Sequence, residues 1–283
     1  MSDLEVLSIE RDGHVATVWL DRPEARNAMG PAFWDDLTTA MTEVSNDVGI
    51  RAVVIAARGP HFSVGLDLKA MAGLLTGGDN PGGGREKGDG PPSMAVRAVA
   101  ARAGVKRLQR SINAVADCPK PVIAAIHGYC IGGGVDLASA CDIRLASADA
   151  VFSVRETKVA IVADLGSLQR LPQIIGKGHV AELAYTGKDI TAERAKEMGL
   201  VNDVFPDADA VQSGALSMAT EIAANSPLAV EGTKAVLTAG EGRSVAEGLD
   251  YVAAWNAGFL QSDDLVEAMS AFMAKRPPEF RGR

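Results

Sequence analysis

Two short apolar runs constrain this chain more than any other feature: RAVVIAA at residues 51–57 and PVIAAI at 121–126. Neither alternates polar with apolar residues. A strand made from either must be covered on both faces, which calls for a parallel sheet with helices on its two sides. Each run soon gives way to a turn containing glycine, HFSVGLDL at 61–68 and HGYCIGGGVD at 127–136. Residues 4–20 read as two strands about a turn at Arg11-Asp12-Gly13, and a helix begins near Pro31 with Phe33, Trp34, Leu37, Ala40, Met41 and Val44 at helical spacing. Helical periodicity returns over 95–116 and 135–140, and short strands are expected at 143–146 and 150–154. Further helices are expected at 167–175, 178–185, 191–198, 207–225, 227–239 and 245–261. The pattern is an α/β core over residues 1–200 followed by a helical region over 201–283.

Glycine is the compositional outlier, 30 of 283 residues, against a usual share of about 7%. Part of the excess is a segment at 77–92 with seven glycines and three prolines, too poor in apolar residues to pack a core and expected to be a mobile surface loop. The informative part is Gly65 and Gly132-Gly133-Gly134. Successive glycines entering a helix leave backbone N–H groups exposed and let a ligand approach closely. No Gly-Lys-Ser/Thr follows, and the dinucleotide spacing G-x-G-x-x-G is absent, so neither nucleotide motif applies. On spacing alone the cluster reads equally as a tight turn. The second glycine turn after a separate buried strand favours function, because two N–H groups from different loops can converge on one oxygen.

The balance of 28 basic and 36 acidic residues, −8 in all, argues against a nucleic-acid binder working by bulk charge. Cys118, Cys130 and Cys141 form no C-x-x-C pair, and Cys130 and Cys141 sit among apolar residues as small buried thiols. His14, His61, His127 and His179 lack metal-ligand spacing, so no metal site is expected. His61 and His127 read as turn or core residues rather than bases. The N-terminus lacks a signal peptide, no apolar run is long enough to span a membrane, and the terminal RGR matches no sorting signal; a soluble, cytoplasmic protein is expected. Three acids stand among small and apolar residues: Asp136 in GGGVDLASA, Glu156 in VRETKVA and Asp164 in IVADLGS. Each could be an ordinary solvated carboxylate, and Asp164 has a structural alternative as the cap of the helix starting near Ser167. Asp142 and Asp149 read as structural.

The segments DRPEARNAM (21–29), FSVGLDL (62–68), PVIAAIHGYCIGGGVDLASACDIRLAS (121–147) and AYTGKDITAERAKEMGLVNDVF (184–205) together resemble the enoyl-CoA hydratase/isomerase (crotonase) superfamily. The resemblance covers the chain apart from 77–92 and implies a crotonase-like spiral of ββα units with a C-terminal helical region. Within the superfamily the acidic pattern, and GLDYVAAWNAGFLQSDDL at 248–265, are similar to the Δ3,5-Δ2,4-dienoyl-CoA isomerase branch. Hydratases resemble the chain at Glu156 but carry Glu at the position of Asp136 and glycine at that of Asp164. The resemblance implies a carboxylate proton shuttle in fatty acid β-oxidation, moving the double bonds of a 3,5-dienoyl-CoA to 2,4. Leu66 and Gly133 would donate N–H groups to the thioester oxygen, Glu156 would act at C2, Asp164 at C6, and Asp136 would support them. Arg26, Ser63, Val64, Gly65, Asp67, Leu68 and Gly132 would contact the substrate, with the loop 22–27 and the turn 63–68 holding the CoA nucleotide. No cofactor is implied beyond CoA as substrate carrier. The implied partners are acyl-CoA and further copies of the chain as a homotrimer or homohexamer, with the helical region serving oligomerisation and covering the site. A 2-enoyl-CoA hydratase and a non-catalytic acyl-CoA-binding scaffold are the alternatives.

Overall fold

A computed structural model describes residues 3–73 and 93–283; the expected loop at 77–92 falls outside the described residues. The first strands, β1 (Leu7–Asp12) and β2 (Val15–Leu20), form the antiparallel hairpin expected from the sequence. From β2 the sheet continues in parallel through β3 (Ala52–Ala57), β4 (Val122–Ile126), β6 (Ile143–Ser147) and β9 (Asp203–Phe205), in the order β1-β2-β3-β4-β6-β9. A second sheet of three short strands, β5 (Tyr129–Ile131), β7 (Val151–Ser153) and β8 (Ile190–Thr191), stands beside it.

The central strands β2, β3 and β4 are buried on both faces, as the unbroken apolar runs require. Val53, Ile55 and Ala57 of β3 point into one core with Trp34, Leu37 and Met41 of α1 (Pro31–Asn46). Ala52, Val54 and Ala56 face the other way, into a second core. That second face is closed by α7 (Ala208–Ala223), whose Val211, Ala215, Ala219 and Ala223 recur every fourth residue; a stripe mostly of alanine lets the helix lie close on the sheet. β9 and α7 both lie beyond residue 200 in sequence, yet they complete the sheet and cover its face.

The helices between are α2 (Met94–Ala116), α3 (Gly133–Ala140), α4 (Ser167–Ile174), α5 (Lys177–Thr186) and α6 (Ala192–Glu197). The chain ends in α8 (Pro227–Gly240), α9 (Val245–Phe259) and α10 (Asp263–Ala274). Helix α10 was not among the sequence expectations: Ser262 caps it and Asp263 and Asp264 open it, a start signal readable in SDDL. Strands β5, β8 and β9, two or three residues each, were too short to carry a periodic signal.

The loop after β2 is held by one side chain. Asn27, buried and left-handed at φ 52°, accepts a hydrogen bond from Arg22 N at 2.9 Å. Its amide donates to Arg58 O at 2.9 Å and to His61 O at 2.8 Å. Replacement Asn27→Asp keeps the shape and tolerates the backbone conformation but turns both donors into acceptors. It is expected to destabilise the protein by about 2–4 kcal/mol, read as a lowered midpoint in urea unfolding.

Candidate active site

The two glycine turns are sewn together by backbone. Phe62 N donates to His127 O at 2.8 Å, Ser63 N to Tyr129 O at 2.9 Å, and Ile131 N returns to Ser63 O at 3.0 Å. The loop leaving β3 therefore runs as an extra parallel strand beside β5. On its other side Met29 N donates to Gly65 O and Asp67 N to Met29 O, at 2.8 and 3.1 Å. That parallel pattern turns the Leu66 N–H away from Met29. Gly133 opens α3, where the first N–H groups of a helix have no partner within it. Among the described residues neither Leu66 N nor Gly133 N meets a protein acceptor.

Gly65 makes this convergence possible. Its φ is +83°, and a Cβ there would lie 2.6 Å from Ile131 O and 3.2 Å from Gly133 N. The two backbones approach more closely than any side chain allows.

The three acids converge beside these donors. Glu156 lies in a short 3-10 turn, Glu156–Val159, and its Oε1 stands 3.3 Å from where a Cβ on Gly132 would sit. Its Oε2 is buried and has no hydrogen-bond partner among the described residues. Burial, then the charges of Asp136 and Asp164, push its pKa up to about 7. Asp136, on α3 and 1% exposed, accepts Ser167 N at 2.6 Å. Burial raises its pKa to about 6, against the pull of the Ser167 N–H. Asp164 is on the loop before α4 with its residue surface open to solvent, while its carboxyl lies under enough neighbouring atoms for desolvation to raise its pKa. Carboxyls that raise one another cannot all carry full charge near neutral pH, the arrangement that supplies an acid and a base from one residue type.

The capping alternative for Asp164 falls away: the N-cap of α4 is Gly166, with no side-chain cap, and the carboxylate that meets the helix's first N–H is Asp136. Thirty-one residues separate that pair, so no local sequence signal could announce it. Of the expected contact residues, Ser63 is fully buried, with its hydroxyl donating to Asn27 O at 2.8 Å and accepting from Gly65 N at 3.1 Å. Asp67 pairs with Arg22 at 3.0 Å and accepts Ala70 N, and these bonds keep its carboxyl below the usual range. Both side chains hold the turn in shape, so what Ser63 and Asp67 offer a ligand is backbone. Arg26 and Leu68 are exposed, and Val64 and Leu66 are half-buried.

His61 and His127 serve the same loops. His61 Nδ1 accepts Tyr129 N at 3.2 Å, and burial and Arg26 lower its pKa; His127 Nε2 meets Gly59 O at 2.8 Å. Cys118, Cys130 and Cys141 are free and buried, and burial pushes the Cys141 thiol up to about 12, leaving it inert. Among the described residues no group of three or more His, Cys, Asp or Glu side chains is placed to hold a metal ion, and no helix is long and apolar enough to cross a membrane.

Unpaired N–H donors beside carboxyls held partly neutral by burial equip a protein for acid–base chemistry on a carbonyl compound. The chain belongs to the Enoyl-CoA hydratase/isomerase family, whose sequence profile matches residues 10–80 and 94–283. It is 42% identical over 277 residues to the peroxisomal Delta(3,5)-Delta(2,4)-dienoyl-CoA isomerase of Arabidopsis thaliana, covering 98% of this chain and 96% of that one. It is 44% identical over 269 residues to the mitochondrial enzyme of that name from Homo sapiens, covering 95% and 78%. A crystal structure of an enoyl-CoA hydratase from Bacillus anthracis superposes with a TM-score of 0.85 at 32% identity, covering 99% of this chain and all of that one.

The expectation of a cytoplasmic location is corrected by these relatives, which are named peroxisomal and mitochondrial. The sequence features read for that expectation do not separate the cytoplasm from the interior of an organelle, whose addresses are read by receptors.

The raised pKa of Asp136 has a consequence for stability. Its folded value, about 6, lies above the unfolded value of 3.8, so the folded state holds the proton more tightly. The stability this contributes is present below pH 3.8 and is lost as pH rises through about 6, by about 3 kcal/mol. Asp136→Asn removes the titration, so the variant should gain on the wild type across that window, measured by urea unfolding at pH 4, 6 and 8.

Proposed function

We propose that this chain is a Δ3,5-Δ2,4-dienoyl-CoA isomerase acting in fatty acid β-oxidation. The observation that carries the reading is the meeting of three carboxyls, Asp136, Glu156 and Asp164, beside the unpaired N–H groups of Leu66 and Gly133. The names of the Arabidopsis and human relatives support it.

The thioester oxygen of a 3,5-dienoyl-CoA accepts hydrogen bonds from Leu66 N and Gly133 N. Glu156, in its ionised form, takes a proton from C2, and the electron pair is delocalised from the thioester oxygen to C6 in a trienolate held by the two N–H groups. Removing one such donor typically costs about 10²–10³-fold in rate. Asp164, in its protonated form, gives a proton to C6, and the double bonds come to rest at C2 and C4. The substrate's atoms and oxidation state are unchanged, so no redox cofactor or metal is called for. Asp136, whose pKa is raised only to about 6, is largely ionised near neutral pH, and its charge beside Glu156 raises the proton affinity of that carboxyl. Arg26, Val64 and Leu68, with the backbone of Ser63, Gly65, Asp67 and Gly132, form the acyl-CoA surface.

We read the active unit as a homotrimer or homohexamer, with residues 201–283 supplying contacts and cover. Leu237, Val266, Met269, Phe272 and Met273 are exposed on α8 and α10, and a groove of about 1290 Å³ lies between the C-terminal helices and the body. Exposed apolar area on this scale is what subunit contacts use.

The alternative reading is a 2-enoyl-CoA hydratase, favoured by the named activity of the superposed Bacillus structure; a non-catalytic scaffold has no use for three burial-tuned acids. Purified protein should raise the conjugated-diene absorbance of a 3,5-dienoyl-CoA. Water addition to a 2-enoyl-CoA without that rise would sink the isomerase reading. Asp164→Asn should lower turnover by about 10²–10⁴-fold while still exchanging the C2 proton with deuterated water; Glu156→Gln should lose both.

A further inference from the structure

We infer that Gln109 on α2 is a positioning residue for proton transfer at the far end of the substrate, holding the Asp164 loop in register; this rests on the isomerase reading. Gln109 Nε2 donates to Asp164 O at 2.6 Å across 55 residues of sequence. One turn further along the same helix face, Asn113 Oδ1 accepts Arg170 Nη2 at 2.6 Å. Arg170 folds back over Gly166, where φ is +125° and a Cβ would lie 1.9 Å from Nη1, and its Nη1 reaches Leu165 O at 3.4 Å. Two consecutive carbonyls, of Asp164 and Leu165, are thus tied to α2, one directly and one through Arg170.

Helix α2 is a firm base for this. Ile112 and Val115 are buried, Ser111 Oγ donates to Trp34 O at 2.7 Å, and Arg107 pairs with Asp35 at 2.5 Å, all fastening it to the neighbouring core and α1. The far end of the loop is fixed by Ser167 N on Asp136. Between those anchors Ala163 and Leu165 are buried while Asp164 faces outward. The Asp164 side chain makes no hydrogen bond to another side chain among the described residues, so its carboxyl position is inherited from its backbone. Glu156, on its own 3-10 turn, does not depend on this clamp. Gln109 therefore bears on delivery at C6 and not on removal at C2.

Gln109→Leu keeps a side chain of similar bulk, one atom shorter, and removes the donor. A misplaced reacting group costs up to about 10²-fold, so kcat for 3,5-dienoyl-CoA should fall about 10–100-fold with KM within twofold and C2 deuterium exchange retained. Gln109→Glu should be equally impaired at pH 8, and its kcat relative to the wild type at the same pH should rise as acid returns a donor to the carboxyl, a profile that loss of packing would not give. In hydrogen–deuterium exchange of the whole protein, peptides covering 161–169 should exchange faster in Gln109→Leu than in the wild type, with the β3 and β4 peptides unchanged. Wild-type kcat in Gln109→Leu, or unchanged exchange over 161–169, overturns the inference. A wild-type enzyme that does not isomerise the dienoyl substrate overturns the isomerase reading instead, and the exchange measurement still decides whether Gln109 holds the loop.

Discussion

The backbone seam between the loop after β3 and the strand β5 is the constraint on which the site depends. Three hydrogen bonds, Phe62 to His127, Ser63 to Tyr129 and Ile131 to Ser63, bring two chain segments separated by more than sixty residues into one ribbon. With Met29 bridging from the other edge, the peptide planes at Leu66 and Gly133 are set before any ligand arrives. Donors fixed in this way need no reorganisation when charge develops on an oxygen, which is the basis of their effect on rate. Gly65 is required because only a residue without Cβ lets the seam close.

Polar side chains around this seam mostly serve it. Asn27, Ser63 and Asp67 look like ligand contacts in a sequence motif, yet their side chains are spent on neighbouring backbone and on Arg22. The groups left over are backbone N–H donors and three carboxyls whose environments differ: Asp136 enclosed, Glu156 half-buried with one oxygen unpartnered, and Asp164 toward solvent. Graded burial is what spreads the proton affinities of otherwise similar acids.

Much of this was legible in advance. The runs at 51–57 and 121–126 specified doubly covered parallel strands, and β3 and β4 are buried at every position. The glycine turns and the three acids could be picked out as candidates. Short strands β5, β8 and β9 carry too few residues for periodicity and exist because a neighbour offers a ladder. Likewise, Gln109 and Arg170 sit on ordinary amphipathic helices, and nothing local marks their reach to the Asp164 loop.

The sequence by itself determined the α/β layering, the glycines where backbone approaches backbone and the acids available for proton transfer, because burial on two faces and the absence of a Cβ are properties of residue type and order. Only the tertiary structure decided that Leu66 and Gly133 are the unpaired donors, that Asp136 and not Asp164 meets the start of α4, and how strongly each carboxyl resists ionising. Those are matters of distance and desolvation between residues far apart in the chain, and they come into being only when the sheet and its loops close.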